Sequence, residues 1–303
     1  MDISVYGGSD AATVTQVVDR VRAAAADGFG AIWFAQAAGL DTMTALAVAG
    51  AEVPAIRLGT AVVPIQGRHP IPLAQQALTV ADAAGPGRFT LGVGVSHAPV
   101  SETWYGIAYS SVVELCAEEL EALAPLLADS RRADVAGSRL TARITLGLTT
   151  PPPGLVVAAL GPRMLDLAGR LTDGTVTWMT GVATLGRQVV PRITAAAEAA
   201  GRPRPRIVAG LPVCVTDDTE GARARIGPAM AGTARMASYQ RMVTAEGVAE
   251  PVDIALIGNE AAVGARIDAL AAAGATELLA NVLGQPEEVA RTRQFLAARA
   301  SAR

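Results

Sequence analysis

The chain of 303 residues contains no lysine, and all 25 of its basic residues are arginine. Schiff-base aldolases, pyridoxal enzymes and lysine general bases are therefore excluded. Only two histidines, His69 and His97, are present. A three-histidine zinc site cannot be built from them, and no paired-cysteine or His-x-x-x-His spacing suggests another metal, so none is expected. Cysteine is nearly as scarce. Cys116 falls on an apolar helical stripe with Val112, Val113, Leu120 and Leu123, and Cys214 lies in a strand-like run, so both read as core thiols. No apolar run reaches the ~18 residues of a membrane span, and Met1-Asp2-Ile3-Ser4 lacks the basic start of a signal peptide. A cytoplasmic protein without a membrane partner is expected. The formal charge of −3 argues against a nucleic-acid partner, which leaves small molecules.

Hydrophobic residues make up 51% of the chain and supply a large core. A length of 303 residues allows two domains, but no linker-like stretch divides residues 1–303, and one barrel-sized domain accounts for them. Eight strand-plus-helix units follow one another. Strand one is Ile3 to Tyr6; its helix carries Val14, Val17, Val18 and Val21 on one face behind a Thr13-x-x-Gln16 capping box. Strand two is Ala31 to Phe34. Strands three and four lie in Arg57–Pro64 and Gly87–His97, separated by a helix from Pro70 with Leu73, Ala77, Leu78 and Ala81 on one side. A long helix covers Ser111 to Ala128, and residues Asp129 to Pro153, closed by Pro151-Pro152-Pro153-Gly154, read as an insertion before strand five at Leu155. Strands six, seven and eight are Thr175 to Met179, Arg206 to Val215 and Thr276 to Leu283, with Pro286 in the first turn of the closing helix. Such alternation predicts a parallel sheet, and eight units predict an α/β fold of the (β/α)8 TIM-barrel type.

In such a barrel function gathers where the strands end, because the βα loops converge only there. The candidates are Tyr6, Gly7, Ala35, Gln36, Ala61 to Pro64 (Ala61, Val62, Val63, Pro64), Val95, Ser96, His97, Leu160, Gly161, Pro162, Arg163, Trp178, Met179 and Asn281. Gly161-Pro162 joins an apolar strand to a helix beginning near Arg163, so free backbone N–H groups and the positive helix end can hold an anion without lysine. The alternative is that Gly161 only makes a tight turn and Ser96 caps a local loop. Gly92-Val93-Gly94 does not complete a dinucleotide fingerprint, since His97 stands where the third glycine belongs. His69, held extended by Pro70, reads as an N-capping residue. For His97 two roles stay open, a loop or phosphate contact and a proton donor.

The runs Gly59-Thr60-Ala61-Val62-Val63-Pro64, Arg68-His69-Pro70, Gly87-Arg88-Phe89-Thr90-Leu91-Gly92-Val93-Gly94-Val95-Ser96-His97, Leu155 to Leu165 and Asp173 to Gly181 occur in order. Together they resemble the luciferase-like monooxygenase superfamily, most closely its branch of coenzyme F420 (5-deazaflavin)-dependent oxidoreductases. The resemblance implies a phosphate between Val95–His97 and Leu160–Arg163, and a non-proline cis peptide at Ala61–Val62 beneath the cofactor ring. It also implies a homodimer formed through helices near strands two to four. The Ala-, Leu- and Val-rich helix Thr42–Val53 suits that interface.

Where relatives that oxidise sugar phosphates carry an Asp-His pair, this chain has Gln36-Ala37. An amide cannot act as a general base near neutral pH, but it can hydrogen-bond a ring or polarise a carbonyl or imine. Gln36 and His97 are therefore the expected catalytic pair. The expected reaction is hydride transfer that reduces an activated C=C or C=N bond of a small organic substrate, with F420 as cofactor. An FMN-dependent monooxygenase and a non-catalytic flavin- or ligand-binding barrel are the alternatives. Tyr6, Trp104, Tyr105 and Trp178 are expected to wall the substrate; Arg163 adds a charge beside the phosphate turn, and Arg68 and the Arg131-Arg132 pair are candidates to reach the cofactor's acidic tail, the alternative being that they are solvated surface arginines. The loops Ala98–Ser110 and Thr216–Ile254 would set specificity.

Overall fold

The β-branched runs form parallel strands that are buried on both faces, and eight of them close into a barrel. The computed structural model describes residues 1–301. In chain order the elements are β1 (Asp2–Gly8), α1 (Val14–Ala26), β2 (Ala31–Phe34), α2 (Thr42–Glu52), β3 (Arg57–Thr60), β4 (Val63–Pro64), α3 (Pro70–Ala84), β5 (Phe89–Gly94), α4 (Ala98–Trp104) and α5 (Val112–Leu127). The hairpin β6 (Arg132–Ala136) and β7 (Thr141–Thr145) follows, then β8 (Gly154–Ala158), α6 (Pro162–Leu171) and β9 (Gly174–Trp178). A helical stretch runs from α7 (Val182–Thr184) through a π turn (Leu185–Val189) into α8 (Val190–Ala199). The chain ends with β10 (Arg206–Val215), α9 (Thr219–Ala234), α10 (Ala237–Glu246), β11 (Leu256–Gly258), α11 (Glu260–Ala272), β12 (Glu277–Val282) and α12 (Pro286–Ser301).

The barrel order is β1, β2, β3, β5, β8, β9, β10, β12 and back to β1, every pairing parallel. The expected third strand is two pieces: β3 pairs with β2, the Ala61–Val62 peptide is cis, and β4 pairs instead with β5 through Val63 and Val93. The segment before β8 is an insertion as expected, an antiparallel hairpin from Arg132 to Thr145. Two stretches expected as loops are largely helical. Pro99 sits in the first turn of α4, and the Asp218 carboxylate accepts from the Gly221 N–H at 2.9 Å to start α9, so local capping chemistry overrides the irregular composition. His69 caps α3 as expected, its Nδ1 accepting from the Ile71 N–H at 3.3 Å.

Trp33, Val156, Val176, Val208 and Leu279 fill the barrel interior. A larger layer of aliphatic side chains packs between strands and helices and includes Cys116 and Cys214. Burial pushes these thiols up to about 12 and about 11, as inert core residues require. The apolar wealth of α2 is spent within the chain: Met43, Ala45, Leu46 and Ala49 are buried, and Val48 is its one large exposed hydrophobe. Among the described residues, no helix is long and apolar enough to cross a membrane.

Room for Trp33 comes from Gly59 on the neighbouring strand, where a Cβ would lie 2.2 Å from the indole. The indole N–H donates to the buried Glu277 carboxylate at 2.8 Å, and Arg206 donates to the other carboxylate oxygen at 3.1 Å and to the Thr90 hydroxyl at 3.2 Å. These groups stand at strand starts and close the lower mouth. Substituting Glu277→Ala leaves the indole N–H and Arg206 without their acceptor. The unfolding free energy should fall by about 3 kcal/mol, somewhat less than for a fully buried pair because Arg206 is one-third exposed. Urea denaturation checks this; a loss under about 0.5 kcal/mol, the range of ordinary surface substitutions, would refute it.

Candidate functional site

Two connected chambers open at the upper mouth and share Ala35, Ala61, Val62, Ala158, Leu160 and Tyr239 as walls. The inner chamber, about 300 Å³, lies over the Val176–Leu279 floor and is bounded by Tyr6 and Trp178, whose ring centroids are 6.2 Å apart. The outer chamber, about 460 Å³, runs between the ends of β4, β5 and β8 and the helix α10. It is lined by Gln36, Pro64, Val95, Ser96, His97, Gly161, Pro162 and Arg163, together with Tyr109, Val112, Val113, Met164, Ser238 and Arg241.

The structure thus brings together most of the residues expected from sequence, but not all. Val63 is fully buried in the strand–helix layer and faces away from the cavity. Trp104 and Tyr105 are 54% and 42% exposed at the end of α4 and line neither chamber. Once Ala98–Trp104 coils into a helix, its last turn points outward, and a Cβ on Gly67 would lie 3.6 Å from the Tyr105 ring. Of the four residues expected as substrate walls, Tyr6 and Trp178 line the inner chamber.

The turn expected to hold a phosphate is an open one. Gly161 precedes α6 with no side-chain cap, and a Cβ built on it meets nothing within 4 Å. Pro162 carries no N–H, so the donors at this helix start are the backbone N–H groups that follow it, at the end of the helix that attracts anions. The companion loop differs from expectation, because the Ser96 N–H is already given to the Gln66 side-chain oxygen at 3.0 Å. Gln66 is 3% exposed and acts as the internal brace of Val95–His97, a role that no sequence pattern announces. The arginines expected beside the phosphate and along the tail are largely engaged elsewhere. Arg163 pairs with Glu114 at the surface, Arg68 with Asp41 at 2.9 Å, and Arg131 donates to the carbonyls of Ala128 and Thr150 as a buried staple. Arg132 lies on the exposed hairpin beside Asp134.

Gln36 has one half of its amide committed: its side-chain oxygen accepts from the Thr42 N–H at 2.7 Å at the start of α2, leaving the NH2 group as its remaining donor. It can hold a lone pair in the outer chamber but cannot take up a proton. His97 packs against Tyr239, their ring centroids 5.3 Å apart. Burial holds the imidazole below its ordinary value of 6.5 and pushes the Tyr239 phenol up to about 12. At neutral pH both are uncharged. Without a bound anion His97 thus offers one N–H and one bare ring nitrogen. Tyr109, Ser238, Tyr239 and Arg241 were not singled out in the sequence. Three of them sit in the Thr216–Ile254 stretch, where no motif marks them, although Tyr239 is one of only four tyrosines in the chain.

The luciferase-like monooxygenase family matches residues 2–292. The chain belongs to that family. A Mycobacterium tuberculosis protein named as a coenzyme F420-dependent oxidoreductase is 33% identical over 168 residues, which is 51% of this chain and 48% of that protein. The F420-dependent glucose-6-phosphate dehydrogenase of Beutenbergia cavernae is 30% identical over 215 residues, 69% of this chain and 62% of that enzyme. The matched regions thus span from about half to about three-fifths of these curated relatives. The F420-dependent tetrahydromethanopterin reductase of Methanopyrus kandleri superposes with a TM-score of 0.78 at 17% identity, over 98% of this chain and 97% of that one, which establishes the same barrel fold.

The depressed His97 pKa has a measurable sign. The folded state resists protonating this ring, whereas the unfolded chain takes the proton near 6.5. His97 therefore contributes stability that is whole above 6.5 and lost as pH falls below it. Imidazole NMR, with the resonance assigned through a His97→Asn variant, should show a midpoint below 6.5. A midpoint at or above 6.5 would contradict the buried, neutral placement.

Proposed function

We propose that the chain binds a 5-deazaflavin of the F420 type across the two chambers and exchanges a hydride with a small organic substrate, most favourably reducing an activated C=C or C=N bond. The observation that carries this reading is the open, uncapped start of α6 at Gly161, joined through Ala61–Val62 to a largely apolar chamber. A phosphate at the first and a planar ring at the second fit that layout. The F420-dependent names of the two curated relatives support it.

When bound, such a cofactor supplies a hydride donor or acceptor with little oxygen chemistry. The protein's own residues do the rest. The α6 amides and Gly161 would seat the phosphate; Ala61, Val62, Ala158 and Leu160 would hold a flat ring out of water. The Gln36 NH2 and the neutral His97 would hydrogen-bond to ring or substrate acceptors. With no carboxylate among the lining residues of either chamber, no side chain stands ready as a strong base. That favours delivery of a hydride to an unsaturated carbon, with the compensating proton coming from solvent through a weak acid, over abstraction of a proton from an alcohol.

Titration of the apo-protein with the deazaflavin and with FMN, followed by absorbance and fluorescence, tests the assignment. Micromolar or tighter deazaflavin binding and weaker FMN binding are expected. Gly161→Val, whose side chain would enter the space left at the turn, should weaken binding by about a hundredfold, or ~3 kcal/mol, while the melting temperature stays close to that of the parent. Tighter FMN binding with oxygen-dependent turnover would replace this reading with a monooxygenase.

A further inference from the structure

Charge is divided sharply between the two chambers. The guanidinium groups of Arg163 and Arg241 and the imidazole of His97 belong to the outer one. The inner chamber is bounded by Tyr6, Val62, Val176, Trp178, Tyr239 and Leu279, with alanines, Leu160 and Thr177 completing the wall, and no ionisable side chain other than the two phenols lines it. Below it lies the apolar packing of Trp33, Val156 and Val208. An ionised phosphate or carboxylate placed here would lose its hydration without gaining a cation, the costliest kind of burial a pocket can impose. A polyhydroxylated sugar would fare little better, because each hydroxyl needs a partner and the side chains offer few.

One polar group does face both chambers. Tyr239 stands at their boundary against His97, and its hydroxyl hydrogen-bonds to no described residue. Its phenol stays protonated well beyond neutral pH, so it is a donor. With no protein acceptor taken, this hydroxyl is free to donate to a ligand atom.

We propose that the reacting part of the substrate is uncharged and largely apolar, a conjugated or cyclic carbonyl or imine whose single acceptor atom takes a hydrogen bond from the Tyr239 hydroxyl, and that phosphorylated and carboxylated compounds are refused. The inference rests on the two-chamber reading above, in which ring and substrate share the inner chamber face to face. It separates this chain from the sugar phosphate that names the Beutenbergia cavernae relative.

Calorimetry and tryptophan fluorescence test it directly, with 2-cyclohexenone as the neutral probe and glucose 6-phosphate and glutarate as anionic ones. Each is titrated into the protein alone and into the protein with oxidised deazaflavin. The enone should bind at least about tenfold more tightly than either anion, with little dependence on ionic strength. Tyr239→Phe, checked for an unchanged melting profile, should weaken enone binding about five- to tenfold. The wild-type ranking stands as a test even if that variant fails to fold. Tighter binding of either anion, no binding of any probe in either form, or a folded Tyr239→Phe protein that binds the enone undiminished overturns the proposal. Enone preference without any deazaflavin binding upholds it and sinks the cofactor reading; deazaflavin binding with an anion preferred does the reverse.

Discussion

The whole arrangement hangs on how far the barrel is filled from below. Trp33 lies across the interior over Gly59, with its N–H on Glu277 and the Arg206 guanidinium 5.8 Å from its ring. Side chains of one strand that share the inner face are two residues apart. On β2 the inner face therefore passes from Trp33 to Ala35, and on β8 from Val156 to Ala158. Bulk at the lower level and methyl groups at the upper one leave a cavity against that side of the barrel. On β9 the order is reversed: Val176 lies in the floor and Trp178 rises beside Tyr6 as the opposite wall. Gly210 makes this possible, since a Cβ there would lie 2.8 Å from the Trp178 ring. The depth, side and lining of the site thus follow from a gradient of side-chain volume along a few strands.

That gradient explains why much of the fold was legible in the sequence. Strands buried on both faces need apolar β-branched runs, and runs that end at a ligand need small residues, so Gly59 to Pro64 and Gly154 to Gly161 declared both their structure and their direction. Three features escaped because they depend on tertiary placement. The break between β3 and β4 is invisible in an unbroken apolar run. The Gln36 oxygen was spent on Thr42 by the way α2 begins. Trp104 and Tyr105 were carried outward once α4 formed, while Tyr239, in a stretch without periodic signal, was carried inward by α10. Aromatic scarcity pointed to the right residue type at half of the proposed wall positions and could say nothing about which way a helix would turn them.

The missing lysine has a structural counterpart. Arginine presents several N–H groups in a rigid fork, which suits it to collecting carbonyls at element ends. Arg88 donates to the carbonyls of Gly50, Val53, Ile56 and Ala84, tying α2, the start of β3 and α3 into one joint. Arg266 does the same for Asp253, Ile254 and Ala255 beneath β11. Burial lowers the pKa of both guanidinium groups, yet an arginine starts so high that it stays charged where a lysine could release its proton.

The same logic sets the character of the site. With cations used as internal staples or paired at the surface, little positive charge is left for the cavity: Arg163 faces Glu114 at the rim, and Arg241 stays in the outer chamber. Anion binding there must lean on the backbone amides of α6, which are fixed in position and cannot follow a ligand inward. An anchor at the rim and neutral walls at the centre impose an order on any bound pair. In the proposed pair the charged end of one molecule would stay outside, its flat end would lie over Ala61–Val62, and whatever meets that face would enter without charge of its own.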